Sequence, residues 1–306
     1  MKKWISVHLF SSLPLDDLIK KAIGPTLQET ELKSMVGRFF FIRYWEGGQH
    51  IRFRIQPLDE NFTDQICQLL RDRFEDFFHL FPSNRIDTPG GEIIYPNDSV
   101  QFIDYNPEIK RYGGNHGIEL AEEHFELSST VTLQLICRPC DFDYEQRLAH
   151  AINLNLAFAK CVFKSKNEKT IFYKHLFHQW LPHAMFALNR SGENIIGYDM
   201  IQESYEALFQ KNKKSLHQYK YLIDELIESN EKFEENWMNI WIERTIKIHC
   251  ELTALNELKL LADTDSPEIN SINNIYLSYF HMLNNRLGIQ NKDESLVSYL
   301  LFKLFE

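Results

Sequence analysis

The chain has 306 residues, of which 44% are hydrophobic and 25% are charged, and 43 acidic residues outnumber 33 basic ones for a formal charge of −10. This is the composition of a globular protein, and its acidic balance disfavours a protein whose main task is to grip phosphate backbones, because such binding needs a basic surface or stripe. The length is compatible with one large domain or two small ones.

The cysteines and the apolar stretches indicate in which cellular compartment the protein is expected. Five cysteines without a secretory signal peptide predict a reducing environment. Cys137 and Cys140 have the C-x-x-C spacing of half a zinc site, but no second pair at a matching spacing follows, so we expect no metal and no redox centre. No apolar stretch approaches the roughly 18 residues that a membrane-spanning helix needs. We therefore expect a soluble, cytoplasmic protein.

The first 105 or so residues mix strands and helices. Residues 4–10 (WISVHLF) alternate apolar and polar side chains, which predicts a strand. Residues 15–29 have helical spacing that we expect to break at Gly24-Pro25. The runs 37–46 and 50–57 also alternate and flank Gly47-Gly48, which predicts a β-hairpin. The same part of the chain contains a predicted helix at 61–81 and short strands within 85–105.

From about residue 115 the pattern becomes helical, and Gly and Pro become sparse. A first helical segment begins at GIELAEEHFELSS, and Ser266 is a plausible cap for a later helix that starts at Pro267. We predict an α+β fold in a single domain, 1–306, with a mostly antiparallel sheet and hairpin in 1–114 packed with a large helical part in 115–306. The clearest helices are expected at 143–163, 169–189, 198–211, 215–233, 235–262, 267–287 and 293–305.

The hairpin sequence RFFFIRYWEGGQHIRFRI, residues 38–55, carries an unusual number of cationic side chains. Because side chains two apart share a face of a strand, His50, Arg52 and Arg54 are expected on one face and Ile51, Phe53 and Ile55 on the other. The face of Arg43 depends on the hairpin register, which the sequence leaves open. The pattern has two interpretations, a solvated strand face or a pocket for a carboxylate or a developing oxyanion.

Two further motifs carry candidate functional side chains. In YNPEIKRYGG, Glu108 and Arg111 are three residues apart, so a helical turn would place them side by side before Gly113-Gly114. In SYFHMLNNRLGI, His281 lies on a helix whose other residues supply packing. Taken alone, the first motif is most often a surface ion pair and the second a packing histidine.

Four stretches together resemble one family. WISVHLF, FFIRYWEGGQHIRFRI, EIKRYGG and FHMLNNRLGI, in this order, look like the C-terminal elimination domain of lantibiotic dehydratases, which also occurs as a separate chain in thiopeptide-type bacteriocin biosynthesis. The motifs run from residue 4 to about residue 289, so the resemblance covers nearly the whole chain. The hairpin is the most specific of them, and the helical middle of the chain is generic.

The resemblance implies a lyase reaction without a cofactor. In this family a partner protein esterifies Ser or Thr of a ribosomally made precursor peptide with glutamate from glutamyl-tRNA, and the elimination domain expels the glutamate to leave dehydroalanine or dehydrobutyrine. The present chain resembles the elimination part from its first residues on, so we expect a separate glutamylating partner. The acidic balance agrees with a chain that does not itself bind the tRNA.

Site residues follow from the resemblance one motif at a time. Arg52 and Arg54 match the hairpin arginines, and Arg54 is assigned as the stabiliser of an enolate. Arg111 matches the arginine of the second motif and is expected, with Arg52, to hold the substrate or the leaving group. His281 matches the family histidine and is assigned the proton transfer, to which imidazole is suited near neutral pH. The remaining expected substrate-binding residues are Glu108, which would orient Arg111, and Arg43 and His50 of the hairpin.

Two other functions remain open at this point. Pyridine synthases of thiopeptide maturation resemble the same family and join two dehydroalanines by a formal [4+2] cycloaddition, a reaction that does not require the elimination arginines and histidine as a set. A non-catalytic subunit could instead use the cationic side chains of the hairpin to hold an acidic precursor peptide. The retained set of Arg54, Glu108, Arg111 and His281 favours elimination.

Overall fold

The computed structural model describes residues 3–85, 95–139, 142–190, 197–262 and 271–306. It confirms the predicted α+β class, with the sheet in the N-terminal part of the chain. The chain divides into two compact units. The sheet unit comprises Met1–Glu108 and Phe125–Phe142, and the helical unit comprises Ile109–His124 and Asp143–Glu306. The boundary therefore differs from the expected change of character near residue 115, and the single domain stays a prediction.

The sheet unit contains a four-stranded antiparallel sheet in the order β2-β3-β1-β4. The predicted hairpin is confirmed, and Gly47 (φ 78°) and Gly48 (φ 121°) adopt positive φ angles at its turn, a conformation that glycine adopts readily. Of the strands expected within 85–105, one lies among the described residues, and 86–94 lie outside them. The strands are β1 (Ile5–Phe10), β2 (Val36–Tyr44), β3 (His50–Pro57) and β4 (Ser99–Phe102).

One face of this sheet is the core of the unit. Ile51, Phe53 and Ile55 alternate along β3 and are fully buried in a cluster that includes Leu70 and Phe74. Both of the latter belong to the long helix α4, whose apolar residues recur at helical spacing on one side. The helices of this unit are α1 (Leu15–Asp17), α2 (Gly24–Gln28), α3 (Thr30–Met35) and α4 (Thr63–Leu80), with a π-helical turn at Leu18–Ile23 and a 3₁₀ turn at Glu60–Phe62.

The expected break at Gly24-Pro25 is wrong. The chain runs from α1 through the π-helical turn into α2 and leaves helical geometry only at Glu29. The Gly24 N–H donates to the carbonyl of Ile19 in the wider π turn, and Pro25, which has no N–H to donate, is the second residue of α2.

The helical unit follows the predicted segments closely, with one correction. The helices expected at 198–211 and 215–233 are one continuous helix, because the intervening residues 212–214 (Asn-Lys-Lys) contain no Gly or Pro, and Asn212 Nδ2 bonds back to the Leu208 carbonyl. The expected cap Ser266 and Pro267 lie outside the described residues. The helices are α5 (Gly114–Ile136, which contributes to both units), α6 (Tyr144–Val162), α7 (Lys166–Asn189), α8 (Tyr198–Ser229), α9 (Asn236–Glu257), α10 (Ser271–Leu287) and α11 (Asn291–Phe305).

Capping side chains mark the starts of two helices of this unit. Asp143 and Ser165 each form a capping box with the side chain three residues later, at the starts of α6 and α7. The helix α11 packs along α7, and the rings of Tyr299 and Phe177 meet edge to face with centroids 5.1 Å apart. No helix within the described ranges is both long and apolar enough to cross a membrane.

Candidate active site

The second face of the sheet carries the cationic side chains of the hairpin. In the antiparallel register, Arg52 lies opposite His8, Arg54 opposite Ser6, and His50 opposite Tyr44. Residues that pair across strands share a face, so the predicted grouping of His50, Arg52 and Arg54 agrees with the register, while Ile51 and Phe53 point into the core. We call the surface formed by His8, Tyr44, His50, Arg52 and Arg54 the cationic face.

Arg52 is held in place by neutral neighbours. Its guanidinium carbon lies 3.5 Å from the centroid of the Tyr44 ring, and its Nε–H donates to Nε2 of His50 at 3.3 Å. The other ring nitrogen of His50 lies 2.7 Å from the Gly48 carbonyl, so Nδ1–H donates there and leaves Nε2 as the acceptor. No carboxylate among the described residues forms an ion pair with this half-buried guanidinium.

Arg54 lies deeper in the same face, with only 6% of its surface exposed. Its guanidinium carbon is 4.4 Å from the centroid of the Tyr105 ring and 5.2 Å from that of Phe40. Aromatic rings attract a cation through the negative charge on their faces, which holds the guanidinium against Tyr105 and Phe40. The arrangement is suited to stabilise a negative charge that develops nearby.

The imidazoles of the cationic face add no charge near neutral pH. Burial, followed by the nearby charges of His50, Arg52 and Arg54, lowers the pKa of His8 to about 3. Burial likewise lowers the pKa of His50 to about 4, with Arg52 and Arg54 contributing, although the hydrogen bond to Gly48 acts in the opposite direction. The two rings stack with centroids 5.1 Å apart, a contact that two imidazolium ions would disfavour.

Arg43 does not belong to the cationic face. It pairs with Ile51 across the hairpin, so its side chain points to the same side as the core residues of β3. There its Nη2 forms an ion pair with Oδ1 of Asp16 at 2.5 Å. The expected role of Arg43 in substrate binding therefore has no support from the register, which the sequence alone could not supply.

Arg111 and His281 both lie in the helical unit and are far apart in sequence. The structure brings the side chain of Arg111 into contact with α10, the helix that carries His281. Arg111 follows Ile109 in a short 3₁₀ turn, and its Nε donates to Oγ of Ser278 at 3.0 Å. Ser278 precedes His281 by three positions on α10, so the two side chains lie on one side of the helix. Glu108 is exposed and belongs to the sheet unit, and its expected effect on Arg111 stays a prediction.

His281 is partly exposed and has a buried carboxylate as its partner. Its side chain is 21% exposed, and its Nδ1 lies 2.8 Å from Oε1 of Glu294, which is completely buried on α11. The imidazole stacks on the indole of Trp180 from α7, with centroids 4.7 Å apart and an interplanar angle of 24°. The second carboxylate oxygen of Glu294 accepts a hydrogen bond from Asn284 Nδ2 at 3.3 Å.

These partners of His281 were missed from the sequence. Glu294 lies 13 residues after His281 on a different helix, and Trp180 lies on a third. No signal of this was available in the sequence, since Glu294 follows Asp293 in the first turn of α11, where acidic side chains are common whether or not they are buried. In the ranges that the structure describes, no three His, Cys, Asp or Glu side chains form a metal-binding group, and Cys140 lies outside those ranges.

Comparison with known sequences decides the family. The sequence profile of the lantibiotic biosynthesis dehydratase C-terminal family matches residues 4–305. The chain belongs to this family. The resemblance of the four motifs is thereby confirmed, and the protein is a member of an enzyme family of lantibiotic and thiopeptide biosynthesis.

Two curated relatives match over different extents. The nisin biosynthesis protein NisB of Lactococcus lactis subsp. lactis is 24% identical over 307 residues, covering 99% of this chain and 25% of NisB. The epidermin biosynthesis protein EpiB of Staphylococcus epidermidis is 27% identical over 174 residues, covering 56% of this chain and 16% of EpiB. The chain thus spans a quarter or less of the length of these relatives.

Solved structures share the fold of this family member. The pyridine synthase TbtD from thiomuracin biosynthesis matches with a TM-score of 0.75 at 17% identity, covering 99% of this chain and 97% of TbtD. The tRNA-dependent lantibiotic dehydratase MibB from Microbispora sp. 107891 matches with a TM-score of 0.60 at 18% identity, covering 99% of this chain and 28% of MibB. At these identities the likeness establishes the fold.

Proposed function

We propose that this chain is the elimination component of a split lantibiotic-type dehydratase. It expels glutamate from glutamylated Ser or Thr residues of a ribosomally made precursor peptide and leaves dehydroalanine or dehydrobutyrine. Its partners are that precursor and a separate protein that attaches the glutamate from glutamyl-tRNA. Membership of the dehydratase family supports this reaction class.

The observation that carries the proposal is the cationic face. Arg52 is half-buried, has no carboxylate partner in the described part of the chain, and is oriented by Tyr44 and the neutral His50. Such a guanidinium is suited to a ligand carboxylate, which it can grip through two parallel hydrogen bonds. Elimination releases a carboxylate and passes through an enolate. Cycloaddition of two dehydroalanines does not require either species.

Each step of the elimination has a candidate residue. The Cα–H bond of the glutamylated residue breaks, and the proton passes to Nε2 of His281. The electron pair develops on the neighbouring carbonyl as an enolate, which Arg54 stabilises. The pair then forms the Cα–Cβ double bond while the Cβ–O bond breaks, and glutamate leaves with the electrons of that bond as a carboxylate. Arg52 and Arg111 hold the substrate and leaving-group carboxylates, and Glu108 orients Arg111.

Mass spectrometry of the reaction mixture tests the proposal. We expect the purified chain to convert a glutamylated precursor peptide into the dehydrated peptide with release of one glutamate per modified residue. Arg54→Lys and His281→Gln are expected to accumulate the ester, because an oriented donor and a positioned base each contribute about 10²-fold or more to such reactions. Arg73→Lys is the matched control, since Arg73 is exposed on α4 and pairs with Glu29. Elimination by both variants at the wild-type rate would remove the assignment.

The competing activity is that of a pyridine synthase, kept open by the fold shared with TbtD over nearly its full length. A precursor that already contains dehydroalanines distinguishes the two. Formation of a pyridine ring with loss of the leader peptide, and no reaction of the glutamyl ester, would assign cycloaddition. Salt-sensitive binding of both peptides without any product would instead indicate a binding subunit.

A further inference from the structure

Glu294 is the charged partner of His281 in the helical unit. Its carboxylate is fully buried, although Asp, Glu, Lys and Arg are rarely buried unless they are paired. One oxygen lies 2.8 Å from Nδ1 of His281, and the other accepts from Asn284 Nδ2 at 3.3 Å. A carboxylate accepts and does not donate, so the nitrogen that faces it carries the proton.

The rest of the imidazole is constrained by packing. The indole of Trp180 covers one face of the ring at a centroid distance of 4.7 Å. With Nδ1–H held by Glu294 and the plane set by Trp180, Nε2 is the nitrogen left to act, and the side chain is 21% exposed. Three helices, α7, α10 and α11, thus fix both the orientation and the tautomer of one partly exposed ring.

We propose that Glu294 is the positioning residue of His281, which holds Nδ1–H so that Nε2 is the unprotonated nitrogen that takes the α-proton. This role rests on the proposed elimination. As Nε2 gains the proton, the imidazole becomes a cation on both nitrogens, and the carboxylate at Nδ1 stabilises it. In this role Glu294 acts as a carboxylate toward Nδ1–H and does not exchange a proton with substrate.

Burial and hydrogen bonding act on the ionisation of Glu294 in opposite directions. Burial raises the pKa of its carboxyl group, while the hydrogen bonds from His281 and Asn284 act in the opposite direction. A carboxylate with little solvent around it interacts more strongly with a neighbouring cation than an exposed one. Asn284, whose own side chain is buried, supplies the second donor that the anion needs in this environment.

Glu294→Gln is the informative substitution because it keeps the shape and removes the charge. If Asn284 continues to donate, the glutamine oxygen faces Asn284 and its amide NH₂ turns toward Nδ1 of His281. That donor forces the imidazole into the tautomer with hydrogen on Nε2, which cannot accept the α-proton. In the comparable buried carboxylate of serine proteases, the amide substitution lowers kcat by about 10⁴ through the wrong tautomer.

The first measurement does not depend on the reaction. Nitrogen-15 NMR of histidine-labelled protein distinguishes a ring nitrogen that carries hydrogen from one that does not, and the His281→Gln variant identifies the signals of His281 among the 12 histidines. We expect the Nδ1–H tautomer in the wild type and a shift toward the Nε2–H tautomer in Glu294→Gln. An unchanged tautomer in that variant would overturn the proposal, whether or not the chain proves to be an eliminase.

The second measurement is kinetic. With a glutamylated peptide we expect Glu294→Gln to lower kcat at least 10²-fold with little change in KM, and Glu294→Asp, which keeps both acceptor oxygens, to recover part of the rate. Glu203→Gln, an exposed position on α8, is the matched control. Elimination by Glu294→Gln at the wild-type rate, or a loss of rate that Glu294→Asp does not recover in a fully folded protein, would overturn the proposal. If the wild type itself releases no glutamate from the peptide, that result counts against the proposed function and not against the pairing of Glu294 with His281.

Discussion

At the scale of single residues, the cationic face depends on imidazoles that stay neutral. The folded pKa values of His8 and His50 are about 3 and about 4, both below the ordinary value of 6.5. Between these values and 6.5 the unfolded chain binds more protons than the folded one, so stability is fully present above pH 6.5 and is lost as the pH falls. Each ring contributes a slope of up to about 1.4 kcal/mol per pH unit in that window.

Urea unfolding measured from pH 7.5 to pH 4 tests this dependence. We expect His8→Phe to show a shallower loss of unfolding free energy below about pH 6.5 than the wild type, because one of the two imidazoles no longer titrates. His217→Phe, at an exposed position on α8, is the control and should retain the wild-type slope. Identical slopes for the wild type and His8→Phe would contradict the assigned protonation states.

The sequence predicted which face of the sheet a hairpin residue occupies only where the alternation of side chains along one strand determines it. The alternation His50, Arg52, Arg54 against Ile51, Phe53 is a property of any strand, so it required no coordinates. The face of Arg43 depended on how β2 and β3 align, which alternation does not determine.

At the scale of elements, Gly117 in the first turn of α5 lies against the short turn that precedes this helix. A Cβ atom on Gly117 would lie 1.8 Å from the carbonyl oxygen of Tyr112, so the backbone of this turn must shift to accept any side chain. The same turn holds Arg111. We therefore expect Gly117→Ala to destabilise the protein by about 2 kcal/mol or more, within the range of severe point substitutions.

Gly197 provides the matched control for this prediction. It precedes α8, has φ −87°, and a Cβ there would meet nothing within 4 Å. Gly197→Ala should change the unfolding free energy by less than about 1 kcal/mol. Thermal or urea unfolding of the two variants measures the difference, and equal effects would contradict the close approach at Gly117.

Element types were largely predictable, and their boundaries were less so. Apolar residues at helical spacing identified α4, α6, α7 and α9–α11, because burial of one helix face imposes that period. The division of α8 into two helices was wrong because a polar stretch such as residues 212–214 is compatible with an exposed helix as well as with a loop. The break at Gly24-Pro25 was wrong because proline is compatible with the first turn of a helix.

At the scale of the whole molecule, the proposed elimination uses residues from distant parts of the chain. In that proposal Arg52 and Arg54 come from the hairpin of the sheet unit, and His281 and Arg111 come from the helical unit, where Arg111 bonds to Ser278 one turn before His281. Sequence alone indicated these residues through the family motifs, whereas Glu294 and Trp180 are brought to His281 only by the packing of α7, α10 and α11. Side chains contributed by separate helices carry no common spacing, so the pattern of any one segment could not reveal them.

The most direct test of the proposed elimination is a double-mutant cycle on a single turnover. The rate of glutamate release from a glutamylated peptide is measured for the wild type, Arg54→Lys, His281→Gln and the double variant, with Arg73→Lys as control. If both residues serve one proton abstraction, each single variant slows release by about 10²-fold or more, and the double variant is about as slow as the slower single one, because groups that act as a unit are not additive. Release at the wild-type rate by either single variant would contradict the proposal.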